Sequence, residues 1–187
     1  MGRIDLAALE QSLWSTAAVV FYLPVANGSV LYLEMVYGEY TVRARTLGFE
    51  PWRDTLVGLL AGGLLAAALV AFSRAGAGRR MLRALRTHQS PTARGVALGV
   101  GAIGEELLFR GVLQPLVGPA PSLALFTLTH VPWKRDLWPW PLVALASGAV
   151  LSACFALTGA VLAGVVAQLV LGWTTFRLVD RAVREAR

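Results

Sequence analysis

Six apolar stretches, divided by short charged ones, take up most of this 187-residue chain. They run roughly Leu13–Leu33, Thr55–Ser73, Gly95–Leu116, Pro119–Val131, Leu137–Phe155 and Thr158–Leu178. A straight helix needs about 20 apolar residues to cross a bilayer, and all but the fourth come close to that length. The fourth fits only inside a bundle, where the membrane thins around it. Hydrophobic residues make up 56% of the chain, charged residues 15%, and the mean hydropathy is +0.61. No stretch outside the apolar blocks is long enough to bury a soluble core. The expected fold is therefore all-α: an integral membrane protein of about six transmembrane helices in one bundle, with residues 1–187 forming a single transmembrane domain. Pro24 and Asn27-Gly28-Ser29 should interrupt the first span, and neighbouring helices would absorb the break.

Arginine sets the orientation. Arg74, Arg79, Arg80, Arg83, Arg86 and Arg94 share one loop that has no acidic residue, which places that loop in the cytoplasm. Counting spans outward puts Met1, Lys134, Arg135 and the tail Arg177, Arg181, Arg184 and Arg187 on the same side, so both termini are cytoplasmic. The other side receives Arg43, Arg45 and Arg53, offset by Glu39, Glu50 and Asp54. The net charge of +6 is not a nucleic-acid signal, because the arginines fall between apolar segments as topology requires. The arginine loop is chiefly a topology signal. With Met81-Leu82 and Leu85 between its arginines, it also reads as an amphipathic helix on anionic lipid. Met1–Gln11 lacks a cleavage site and reads as a retained start. The single cysteine, Cys154, has no disulfide partner, and His88 and His130, the only histidines, form no zinc-ligand pattern with it. An arginine-rich, lysine-poor composition fits a GC-rich bacterial genome. The expected location is the cell membrane, multi-pass, in the bacterial inner membrane.

Within the third stretch lies Gly104-Glu105-Glu106-Leu107-Leu108-Phe109-Arg110-Gly111. Ionisable groups at that depth cost about 2.5–3.5 kcal/mol each on insertion scales, so their default reading is a functional site. The alternative is a structural ion pair locking helices together. Depth decides which groups can meet. Glu105 lies about twelve residues before the turn Val117-Gly118-Pro119 and His130 about twelve after it. A rise of 1.5 Å per residue puts both ~19 Å from the turn. Gln168, ten residues beyond Thr158 in the sixth stretch, reaches nearly the same plane at ~15 Å. Glu106 and Arg110 have the i,i+4 spacing of an ion pair on one face. Glu105 points about 100° away, without a local partner, as suits a general base. His130 would help hold and polarise a water.

Each residue also has a simpler role. His130 could only bond a backbone carbonyl near Pro132, and Gln168 could only join helices. Phe126 reads as packing, Trp133, Trp138 and Trp140 as an interfacial belt, and Gly58, Gly62 and Gly63 as close-packing positions.

Glu105-Glu106-x-x-x-Arg110 followed by Phe126-x-x-x-His130 resembles the first two motifs, EExxxR and FxxxH, of the CAAX prenyl protease and bacteriocin-processing family, CPBP or Abi. Gly104, the Phe109-Arg110-Gly111 flank, Leu47-Gly48-Phe49 and Leu157-Thr158-Gly159 resemble it too, so the likeness covers approximately residues 47–173. The resemblance implies intramembrane endopeptidase activity. The first glutamate, Glu105, would be the base that activates water, with His130 its partner and Glu106 and Arg110 the support. The family's third motif expects histidine where Gln168 stands and asparagine or aspartate where Gly172 stands. The stretch between the first two motifs is also about two turns short. The missing histidine weakens a divalent metal site, leaving no cofactor firmly implied. A glutamine amide still suits a developing oxyanion, so Gln168 joins the candidate catalytic set.

Three functions follow. The first is a CPBP-type intramembrane endopeptidase acting on a membrane-embedded peptide or protein in the lipid bilayer. The second is a weakened or inactive relative serving binding, immunity or regulation. The third is a small proton-coupled transporter using Glu105 and His130 as a relay; against it, there is no inverted repeat and no pair of broken helices.

Overall fold

The computed structural model describes residues 6–85 and 90–185, with backbone alone at 6–19, 40 and 41. Met1, Arg3, Asp5, Arg86, His88 and Arg187 lie outside the described residues, and so does the question of a retained start. Among the described residues all regular structure is helical. The helices are α1 (Leu6–Tyr37), α2 (Glu39–Leu47), α3 (Pro51–Ser73), α4 (Gly76–Ala84) and α5 (Pro91–Glu106). A π-helical segment, Leu107–Leu113, continues α5 into α6 (Gln114–Val117). Then come α7 (Pro119–Thr129), a 3-10 turn (Arg135–Leu137), α8 (Trp140–Thr158) and α9 (Leu162–Arg184).

Each of the six apolar stretches is mainly helical, the third running through α5, the π segment and α6. Among the described residues, three segments are long and apolar enough to cross a membrane: Val42–Ser73, Arg135–Thr158 and Leu162–Arg184. The expected break in the first stretch does not occur. Pro24 sits inside one continuous α1, and Ser29 returns its hydroxyl to Val25 O at 2.8 Å. Serine and threonine hydroxyls do this throughout, with Thr174 bonding Val170 O at 2.9 Å and Thr175 bonding Leu171 O at 2.8 Å. Such back-bonding satisfies hydroxyls where no water is at hand.

Glycine and alanine bring α3 and α9 together. A Cβ at Gly58 would lie 2.5 Å from Ala163 O, and one at Gly62 would lie 2.8 Å from Val170 Cβ. Both glycines therefore close-pack, as small residues do between helices in lipid. Gly63, expected to do the same, meets nothing and is open.

The arginine loop contains a helix, α4, with buried Met81 and Leu82. These two pack with Leu69, Val179 and Ala182 of α3 and α9. The apolar face of α4 is thus covered by the protein itself. The arginines point outward, with Arg79, Arg80 and Arg83 exposed.

Gly118, at φ +88, ends α6 and opens α7, forming the tight turn of the hairpin. This left-handed-side backbone is why glycine stands there.

Candidate active site

The hairpin does what its residue count predicts. His130, at the C-terminus of α7, brings its Nε2 to 3.9 Å from Glu105 Oε1 on α5. Both side chains remain partly exposed, 18% and 15%, whereas Glu106 and Arg110 are fully buried. The histidine ring is held from behind. Its Nδ1 lies 2.8 Å from Phe126 O, a carbonyl that can only accept, so Nδ1 carries the proton. The other ring nitrogen, Nε2, is thereby turned toward Glu105. The simpler role foreseen for His130, a backbone bond at a helix end, coexists with the pairing.

Glu105 has a partner that its own helix could not reveal. The Tyr22 hydroxyl of α1 donates to Glu105 Oε1 at 2.7 Å. A Cβ at Gly104 would lie 3.1 Å from Tyr22 Cβ, so glycine there lets α1 approach closely. No motif marks Tyr22, which sits in an apolar run between Phe21 and Leu23.

Glu106 and Arg110 are paired, with Oε1 3.0 Å from Nη1. Arg110 Nη2 also donates to Gly148 O of α8 at 3.1 Å, and its guanidinium stacks on Phe126, 4.4 Å from the ring centroid. Phe126 is therefore more than packing: its ring covers Arg110 and its carbonyl anchors His130. Gln168 of α9 donates from Nε2 to Glu106 Oε1 at 2.8 Å. That amide joins the supporting pair, yet Gln168 also lines the cavity that Glu105 and His130 face. Gly172 contributes no side chain, and Leu98 occupies the space beside it.

The intervening backbone is π-helical rather than the continuous α-helix expected from the spacing. Gln114 N donates five residues back to Phe109 O, and Ser122 Oγ donates to the same carbonyl at 2.7 Å. This ties the π segment to α7. Such π segments recur at functional sites.

The tryptophans divide. Trp133 and Trp138 are exposed, as an interfacial belt requires. Trp140 instead turns inward, its ring centroid 6.4 Å from that of His130. Among the described residues, no three His, Cys, Asp or Glu side chains come together as a metal ion would need. Cys154 is buried and free.

Fold and site together define an all-helical protein, with helices fit to cross a membrane, that holds a glutamate–histidine pair in its interior. Residues 90–174 match the Rce1-like family, described as type II CAAX prenyl endopeptidase Rce1-like. The match spans Glu105, Glu106, Arg110, His130 and Gln168 and bears out the family resemblance. Tyr22 lies outside the matched stretch. Neither the curated proteins nor the solved structures searched contain a match.

Proposed function

We propose that this chain is a six-span, multi-pass protein of a bacterial inner membrane, with both termini cytoplasmic, that hydrolyses a peptide bond in a membrane-embedded peptide or protein. The observation that carries the reading is the 3.9 Å approach of His130 Nε2 to Glu105 Oε1 at a cavity wall. One water can hydrogen-bond to both acceptors across that gap. Glu105 takes a proton from this water as its oxygen attacks the carbonyl carbon, leaving a tetrahedral oxyanion. Glu105 then returns the proton to the amide nitrogen as the C–N bond breaks. His130 orients the water through Nε2, its ring fixed by Phe126 O. Glu106 and Arg110 hold the helix that carries the base. In this reading protein groups carry the steps: Glu106 gives Oε1 to both Arg110 and Gln168, while its Oε2 is turned against Gly164. Glu105 and His130 fall short of the three protein ligands usual for catalytic zinc.

A second reading has its own support. Gln168 is engaged with Glu106 and Gly172 is covered by Leu98, so the third-motif positions offer no free catalytic side chain. A non-catalytic relative that binds a membrane peptide fits that arrangement. Cleavage of a membrane-peptide library in liposomes separates the two. Wild type should cleave, and Glu105→Gln should lose at least ~100-fold while folding normally. Undiminished cleavage by Glu105→Gln removes the proposed base, and silence from wild type selects the binding reading.

A further inference from the structure

Two cavities meet at the glutamate–histidine pair. One, of about 310 Å³, runs between α5, α8 and α9. The other, of about 440 Å³, lies between α1, the π segment and the chain following α7. The walls they share are Tyr22, Glu105, His130 and Trp140. Elsewhere, neither cavity has a Lys, Arg, Asp or Glu among its described lining residues. Leu98, Ala144 and Leu171 are typical of the first, Val25, Leu108 and Leu137 of the second.

We infer that the site takes an uncharged, apolar segment from within a longer chain, laid across the pair with residues on both sides of the scissile bond seated in the two cavities. This rests on the protease reading and supplies its substrate class. The argument is electrostatic. A carboxylate brought into either cavity would be desolvated, with no Lys or Arg among the described lining residues to receive it, and would face the Glu105 carboxylate. The guanidinium of Arg110, in the π segment that continues α5, is buried and engaged with Glu106 and Gly148 O. Arg94, further down α5, is bound to Asp180 at 2.9 Å. A free carboxyl terminus laid beside the reacting bond would meet no Lys or Arg among the described lining residues. An ammonium on a flanking residue is likewise unmatched except by the base itself, which it would neutralise. Apolar side chains incur no such cost, and both cavities offer them aliphatic and aromatic walls.

The test uses the full chain in liposomes with a synthetic peptide of about 20 apolar residues. One form ends in a free carboxylate and one in an amide, and photo-leucine is stepped through the sequence. Cleavage should fall inside the apolar stretch and be the same for both forms. A Lys or Asp placed beside the cleaved bond should lower kcat/KM by about 100-fold. Photo-leucine on one side of that bond should label the Leu98 wall, and on the other side the Val25 wall. Cleavage at a fixed short distance from the carboxylate, lost on amidation, overturns the inference and leaves the protease reading standing. Equal cleavage beside charged residues also overturns it. If nothing is cut but both walls are labelled, the protease reading fails and the two-sided apolar cleft stands. If photo-leucine labels neither wall, the inference is wrong whatever the activity.

Discussion

The carboxylate of Glu106 lies against Gly164, with Oε2 so near the glycine Cα that a methyl there would overlap it. Alanine at 164 must therefore push the carboxylate off its place between Arg110 and Gln168. Overpacking a close-fitted interior costs about 1–3 kcal/mol. Gly164→Ala should lower thermal stability in detergent, and with it any activity. Gly63→Ala, on the open face of α3, is the control and should melt as wild type does. Equal melting of the two variants would remove Gly164 from the site's support.

Tyr22 should matter to rate more than to folding. Its hydroxyl fixes the carboxylate that faces His130, and hydrogen bonds to charged groups contribute about 1.5–3 kcal/mol. Tyr22→Phe keeps the ring against Gly104 and deletes only the donor. We expect kcat to fall about 10-fold or more with KM unchanged. A rise in KM alone would mean that Tyr22 holds substrate instead of positioning the base.

Restoring the family pattern at the third motif requires room. Leu98 Cδ2 would lie 3.0 Å from a Cβ at Gly172, and Cδ1 closer still. Gly172→Asn alone should therefore destabilise the chain, and Leu98→Ala should relieve it. Adding Gln168→His to that pair should preserve or raise cleavage. A thermal-shift series beside the liposome assay reads both effects. Stability unaffected by Gly172→Asn would show that Leu98 moves freely.

Topology has its own test. Arg83 is exposed on α4, between arginines that point away from the packed Met81 and Leu82. A thiol at Arg83→Cys, in a Cys154→Ser background, should react only from the cytoplasmic face. Labelling from outside would invert all six assigned spans.

The depth at which Glu105 and His130 meet was legible because it depends on local quantities: the helix rise and a glycine turn at Gly118. The Glu106–Arg110 pair was legible for the same reason, since both ends sit on one segment. Tyr22 was not, because its contact depends on how α1 crosses α5, and no periodicity in an apolar run encodes a crossing. Gly164 escaped too. Its role appears only once α9 is set against Glu106. Trp140 looked like its neighbours Trp133 and Trp138, and only the start of α8 turns it inward. Continuous α1 shows the opposite limit, for a proline within an apolar helix did not break it. The arginine loop was legible as an amphipathic helix, but not that its apolar face meets α3 and α9 in place of lipid.

The π segment makes chain length at this point a critical variable in its own right. It carries one residue more per turn-equivalent than an α-helix between Glu106 and the Gly118 turn. Deleting a single residue within 111–113, beyond Arg110, would let the helix relax to α geometry with the EExxxR spacing intact. The glutamates would then be turned by about 100° relative to the hairpin and shifted by about 1.5 Å. Glu105 would leave His130, and Glu106 would leave Gln168. A chain could thus keep both sequence motifs in full and lose the site through one missing residue, so relatives should be compared here by counting residues as well as by matching them.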